Sequence, residues 1–275
     1  MVKCVYDGVG DRLELCASSD RHHDSLHCNR SLELQHLKQV KERGAYIVDA
    51  GDLFDAMAGK YDPRRSYDDL RPEYLGGNYY DLIVDDAVAF YKPFADRFLL
   101  VGRGNHEASV YEKASTDLTS RFTAELRRAG SQTITGGVGG WIVFQFLAKS
   151  GGAGFSVKYR YHHGGGGNAP VTKGVISTAR QAVYLPDADI VHNGHNHQEY
   201  ALSIKRERIS NRGVKSFDLA HYIRTPGYKQ DYDKGGWGDL KQFPPTPNGI
   251  AWIGIEVVSA GKTAYPHISV TADVR

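Results

Sequence analysis

The stretch Val48-Asp49-Ala50-Gly51-Asp52-Leu53-Phe54-Asp55 constrains this chain most: an apolar run breaks at a glycine and releases an aspartate into a turn. Tyr46 to Ala50 reads as a buried strand. The carboxylate of Asp52, at its exit, has two oxygens and can bridge two cations about 3.5–4 Å apart, the spacing of two-metal centres. A lone Gly-Asp turn is ordinary turn chemistry. The reading therefore depends on matching side chains at other strand exits.

Four further stretches supply them. Leu13 to Ala17 is strand-like and exits into Ser18-Ser19-Asp20-Arg21-His22-His23-Asp24, at the end where α/β sheets keep their sites. A helix capped by Ser31, with Leu34, Leu37 and Val40 on one face and Gly44 as its stop, leads to the Tyr46 strand. Leu82 to Phe94 has helical periodicity. Phe98 to Val101 is a third strand, exiting into Gly102-Arg103-Gly104-Asn105-His106-Glu107. A helix over Asp117 to Arg128 closes the first half. Trp141 to Ala148 and Phe155 to Tyr161 then read as hairpin strands that deliver His162-His163 into four glycines. Ile190 and Val191 precede Asn193-Gly194-His195-Asn196-His197, and strand-like segments at Ala201 to Ile204 and Ile250 to Val258 follow.

Composition narrows the class. A chain of 275 residues fits a single domain spanning 1–275 with a real core. The 34 basic side chains exceed the 32 acidic ones by only two, so no global field demands nucleic acid or an acidic membrane as partner. Cys4, Cys16 and Cys28 contain no C-x-x-C pair, which points to a reducing compartment. The N-terminus lacks a signal-like apolar segment and no run of about 18 apolar residues spans a bilayer. A soluble, cytoplasmic protein with no membrane partner is expected.

Asp20, His22, Asp52, Asn105, one of His162 and His163, His195 and His197 form a mixed oxygen and imidazole set without thiolate. Such a set suits Mn, Fe, Zn or Co. Singly, each residue has an ordinary reading as a turn, cap or surface side chain; their recurrence at five strand exits is what argues for a site. In order, Asp-x-His, Gly-Asp-x-x-Asp, Gly-Asn-His-Glu, His and Gly-His-x-His resemble the five motifs of the calcineurin-like metallophosphoesterases, over Asp20 to His197. The resemblance implies an α/β fold, a sandwich of two mixed β-sheets flanked by helices. It also implies two divalent metal ions, with manganese expected. Asp20, His22 and His197 would hold one, Asn105, His195 and a histidine of the 162–163 pair the other, and Asp52 would bridge them. Family members with adjacent histidines match His162, and those with histidine before paired glycines match His163; His162 is favoured.

The implied reaction is phosphoester hydrolysis. His106 takes the position that contacts phosphate or protonates the leaving oxygen, and Asp55 that of the partner that orients it and raises its pKa. Family protein phosphatases carry arginine after the second aspartate of the Gly-Asp motif, where this chain has Ala56. Gly-Asp-Leu-Phe-Asp is most similar to the motif of the family's DNA-repair nucleases. Between Lys60 and Tyr80, Lys60, Arg64, Arg65 and Arg71 alternate with Tyr61, Tyr67, Tyr74, Tyr79 and Tyr80, side chains suited to single-stranded or damaged DNA. A phosphodiesterase or nuclease is therefore expected, with a small-molecule phosphoesterase and a non-catalytic scaffold as alternatives.

Overall fold

Apolar alternation and turn glycines build two six-stranded sheets in the computed structural model, which describes all residues except 60–66, 68, 153, 167–171, 173, 231, 233–236, 241, 243 and 262. The strands are β1 (Val2–Tyr6), β2 (Arg12–Ser18), β3 (Tyr46–Asp49), β4 (Phe98–Val101), β5 (Ile134–Thr135), β6 (Gly139–Ala148), β7 (Phe155–His162), β8 (Ile190–Asn193), β9 (Tyr200–Ile209), β10 (Lys215–Arg224), β11 (Gly249–Ala260) and β12 (Thr263–Val274). One sheet has the order β12-β11-β2-β3-β4-β5 and the other β1-β6-β7-β8-β10-β9. Both are mixed. β2, β3 and β4 run parallel, as do β7, β8 and β10, so two sets of strand exits fall at one end.

The layer between the sheets is one core: Leu15, Ala17, Val48 and Leu100 from one face meet Phe144, Val157, Tyr159, Ile190 and Ile223 from the other. On the outer face of the first sheet lie α1 (Arg30–Arg43), α2 (Tyr79–Tyr91), α3 (Asn105–Ala114) and α4 (Leu118–Arg128). Leu37, Val40, Ile83, Tyr91 and Phe122 of this layer pack on Cys16, Ile47 and Phe98. Further on come α5 (Val175–Tyr184) and the single turn α6 (Trp237–Leu240). Leu185, which ends α5, packs with Val191, Ala220 and Tyr222 on the outer face of the second sheet. The sandwich of two mixed sheets flanked by helices is thus the observed architecture.

Local departures from the sequence reading have physical causes. Asn29, not Ser31, caps α1: its Oδ1 accepts the Leu32 N–H at 3.1 Å, and Ser31 Oγ donates to the same oxygen. The α2 helix ends at Tyr91 because Pro93 opens a 3₁₀ turn, Lys92–Arg97. The Gly-Asn-His-Glu stretch, expected as a strand exit, also starts the helix α3. β12 was not anticipated; Pro266 within it is tolerated at the edge of its sheet. Among the described residues no helix is long and apolar enough to cross a membrane.

Candidate metal centre

The candidate ligands leave their strand ends through backbone turns that side chains rarely adopt. Among the described residues eight that are not glycine have positive φ, and five of these are Asp20 (51°), His22 (44°), Asp52 (55°), His195 (79°) and His197 (52°). The left-handed region costs a side-chain-bearing residue on the order of 1 kcal/mol or more, and such strain gathers at functional sites. Glycines beside the ligands allow the turns to close on one another. A Cβ on Gly104 would collide with the Asp52 carboxylate, and one on Gly194 with Ser19 and Asp20.

The side chains converge in two groups. In the first, His22 Nε2 lies 3.2 Å from His197 Nε2, which is 3.6 Å from Asp20 Oδ1. In the second, His163 Nε2 lies 3.1 Å from Asp52 Oδ2 and 3.4 Å from His195 Nδ1. Asn105 Oδ1 sits 2.9 Å from His163 Nε2 and 2.8 Å from His195 Nδ1. The groups meet where His163 Nε2 comes within 4.0 Å of Asp20 Oδ1. Ligand atoms about 2.0–2.2 Å from one ion stand roughly 3–3.5 Å apart. Both groups therefore have the spacing of ligand sets.

The charges point the same way. Asp20 and Asp52 are buried, and histidines are the main groups that hold them ionised. Burial alone would raise Asp20, but the His197 hydrogen bond and the charges of His163 and His197 hold it at about 2. Asp52 is likewise pulled well below the carboxylate range, against burial, by His163 and His106. Burial would lower His163, yet Asp52 beside it raises the imidazole to about 9. Two buried carboxylates faced by imidazole nitrogens and an amide oxygen, with no arginine or lysine among the described residues to balance them, fit divalent cations.

Neighbouring groups fix these loops. The His195 N–H donates to Asp20 Oδ2 at 2.9 Å, tying two strand exits together. Glu107 accepts from the backbone N–H groups of Asp52 (3.2 Å), Phe54 (2.8 Å) and Gly104 (2.8 Å), stapling the Gly-Asp turn to the start of α3. Burial and the Asp52 charge push its carboxyl up to about 8. Asp24 accepts the Asp55 N–H at 2.6 Å and the Ala56 N–H at 3.0 Å. Lys229 Nζ lies 3.0 Å from Asp55 Oδ1. Asp24 and Lys229 carry no motif position, and Lys229 stands 174 residues from its partner.

Three expectations are corrected. Of the histidine pair, His163 is buried and joins the second group, whereas His162 Nδ1 accepts the Gly164 N–H at 2.9 Å. Strand alternation turns Val157, Tyr159 and Tyr161 inward, so position 163 faces the site and 162 does not. Second, the Asp55 carboxylate serves His22, at 2.9 Å from Nδ1. It lies 3.9 Å from His106 Nδ1, which instead donates to the Asp55 backbone carbonyl. His106 Nε2 is left 3.9 Å from Asp52 Oδ2 at the rim of the centre. Third, burial lowers the His106 pKa more than Asp52 and Asp55 raise it, the reverse of the expected shift.

The tyrosine-rich segment is only partly described: Lys60, Tyr61, Arg64 and Arg65 lie outside the described residues. Arg71 Nε donates to the Ser25 carbonyl at 3.0 Å. Tyr74 is buried and donates to Asp86, and Tyr79 donates to Asp24 at 2.8 Å. Tyr67 is exposed. Another candidate group, His23, Cys28 and Glu33, is taken up by Arg21 and Tyr91, which both donate to Glu33.

No family model and no curated protein matches this chain. Solved structures similar to it include an uncharacterised protein of Streptococcus pneumoniae described as a predicted phosphoesterase, at 11% identity and a TM-score of 0.35, covering 95% of this chain and 90% of that one. Vacuolar Protein Sorting 29 of Cryptosporidium parvum aligns at 11% identity and a TM-score of 0.38 over 97% of this chain and 100% of its own. GAP50, the anchor in the inner membrane complex of Plasmodium, aligns at 11% and 0.34 over 96% and 89%. Similarity at this level leaves the reading of the site to its own residues.

Proposed function

We propose that this chain is a metal-dependent phosphoesterase with a dinuclear centre held by Asp20, His22 and His197 on one side, Asn105, His163 and His195 on the other, and Asp52 between. One observation carries the reading. Ligand atoms from five strand exits stand 2.8–3.6 Å apart around two buried carboxylates with which, among the described residues, no arginine or lysine pairs. Two divalent cations there would supply charge neutralisation and an activated water for in-line attack on phosphorus. Asp55 and Lys229 hold His22 in place, and Glu107 fixes the backbone around Asp52. His106 Nε2, aimed at the same space, contacts the phosphoryl group or exchanges a proton with the leaving oxygen.

The substrate reading is a phosphodiester of nucleic acid, supported by the likeness of Gly-Asp-Leu-Phe-Asp to the nuclease motif. A second reading, a small-molecule phosphoester, is favoured by Arg71, Tyr74 and Tyr79, whose polar atoms are engaged within the protein and not presented for stacking. Retention of every ligand and of His106 argues against a scaffold. Metal analysis, followed by Mn-supported hydrolysis of bis-p-nitrophenyl phosphate, p-nitrophenyl phosphate and single-stranded DNA, tests this. Folded protein that retains no divalent metal, or Mn-loaded protein that hydrolyses none of the three, refutes it. Steeply salt-dependent DNA binding would single out the nucleic-acid reading.

A further inference from the structure

A cleft of about 300 Å³ opens on the outer face of the second sheet, beside α5 and the exits of β7, β8 and β10. Arg160, Arg180 and Arg224 line it with His162, Asn193 and Tyr184, and among the described residues no acidic residue does. The segment 166–174 that leads into α5 also contains no Asp or Glu.

Arg224 is the informative member. It is 3% exposed, its Nε is buried without a partner, and among the described residues no oxygen accepts from its guanidinium. Its contact is with the Tyr200 ring, at 5.6 Å from the centroid. The other arginine buried to this degree, Arg21, is fully engaged by Glu33 and Asp49. A buried guanidinium without a counter-charge is costly and calls for an anion. Arg160 donates to the Gly140 carbonyl at 3.0 Å and to that of Tyr161, so it too has only neutral partners. Arg180, exposed on α5, stands at the rim. Planar guanidinium forks around a small concavity match the oxygens of a phosphate.

The cleft shares two strand ends with the metal centre: His162 precedes His163, and Asn193 lies two residues before His195. We propose that it binds a phosphoryl dianion, supplied either by a second phosphate on the substrate or by free phosphate. Only the first source rests on the phosphoesterase reading.

Equilibrium dialysis of metal-loaded protein with labelled inorganic phosphate tests the site. Asp52→Asn, which disables the metal centre, should keep one phosphate equivalent. Arg224→Met in that background should weaken it by about 10- to 100-fold, and Arg224→Lys should restore part. Undiminished binding in Arg224→Met overturns the proposal. If that variant does not fold, Arg180→Met takes its place, with the same weakening expected and unchanged binding counting against the site. The source is read from Mn-supported cleavage of thymidine dinucleotides with and without a 5′-phosphate. An Arg224→Met increase in KM confined to the 5′-phosphorylated substrate assigns the cleft to substrate; equal KM values with the equivalent lost assign it to free phosphate. Absence of hydrolysis of both dinucleotides with the equivalent intact removes the substrate source and leaves the anion site standing; the phosphoesterase reading itself falls only if the chromogenic esters and single-stranded DNA are not hydrolysed either.

Discussion

Arg21 lies between the candidate ligands Asp20 and His22, yet its side chain turns away from them into the layer beneath. Its Nε lies 2.6 Å from Asp49, Nη1 2.7 Å from Glu33 and Nη2 2.8 Å from Ser18 Oγ. The guanidinium carbon is 5.5 Å from the ring centroids of both Tyr91 and Tyr228. Replacing it by Met leaves the buried Asp49 without a cation and Glu33 with His23 alone. Removing one partner of a buried pair costs roughly 3–5 kcal/mol. Burial already raises the Asp49 carboxyl against the pull of Arg21, so Asp49 takes up a proton in the variant and the cost falls near the lower limit, about 3 kcal/mol. For a chain of this size each kcal/mol moves the melting temperature by about 2–4 °C, which gives a loss of about 10 °C. Thermal melts followed by circular dichroism measure it. The triple variant Arg21→Met, Glu33→Gln, Asp49→Asn, which carries no buried charge at these positions, should recover most of the loss. If Asp20 and His22 hold one cation as proposed, elemental analysis should show fewer metal equivalents per chain in Arg21→Met than in the parent. A single-variant loss below about 2 °C, or a triple variant no better than the single, would refute the reasoning.

Asp52→Asn should lower occupancy at both cation positions, whereas Asp20→Asn should mainly empty one; full occupancy of both in Asp52→Asn removes the bridge. His106→Ala should keep both metals and lose about 10²–10⁴-fold in turnover on unactivated esters. A smaller loss with p-nitrophenyl leaving groups marks it as a proton donor, and an equal loss as a phosphate contact. Glu33 gives the pH dependence. Burial would raise it, but His23 and Arg21 hold it at about 2, below its ordinary 4.5. Its contribution of about 3 kcal/mol is therefore full above pH ~4.5 and lost as pH falls toward ~2. Urea midpoints at pH 5 and pH 3 should fall more steeply in the parent than in Glu33→Gln.

The candidate ligands were legible because each sits in a short motif directly after a strand, where the apolar run itself marks the exit. The architecture followed from the same strands, although β1, β5, β10 and β12 were missed because their apolar residues do not stand out from their surroundings. Motif spacing names residues but not atoms, so it could not show that Asp55 meets His106 through a carbonyl and His22 through its carboxylate. The choice between His162 and His163 was open to sequence: counting inward positions from Val157 and Tyr159 reaches 163. Arg21, Asp24 and Glu107 lay inside or beside the motifs, but their partners are set by tertiary contact. Lys229 and Arg224 had no local signal at all.

The backbone explains why residue types recur here as they do. A strand end that must turn its own side chain back over the sheet edge needs a tight reversal, which glycine would supply without strain. Glycine has no ligand atom, so Asp20, His22, Asp52, His195 and His197 occupy the left-handed region themselves. The neighbouring Gly51, Gly104, Gly194 and Gly227 take the crowded positions instead, where a Cβ would strike the facing loop. Hydrogen bonds from the Asp52 and Phe54 N–H groups to Glu107, and those from His195 and His106 to Asp20 and Asp52, then offset the strain by joining exits from different strands. Each of these bonds reaches from one strand exit to another, so no single turn is stable in this form alone. The centre is a property of the closed sandwich, and loosening any one exit, as Arg21→Met does beneath Asp20 and His22, acts on the others through these cross-links.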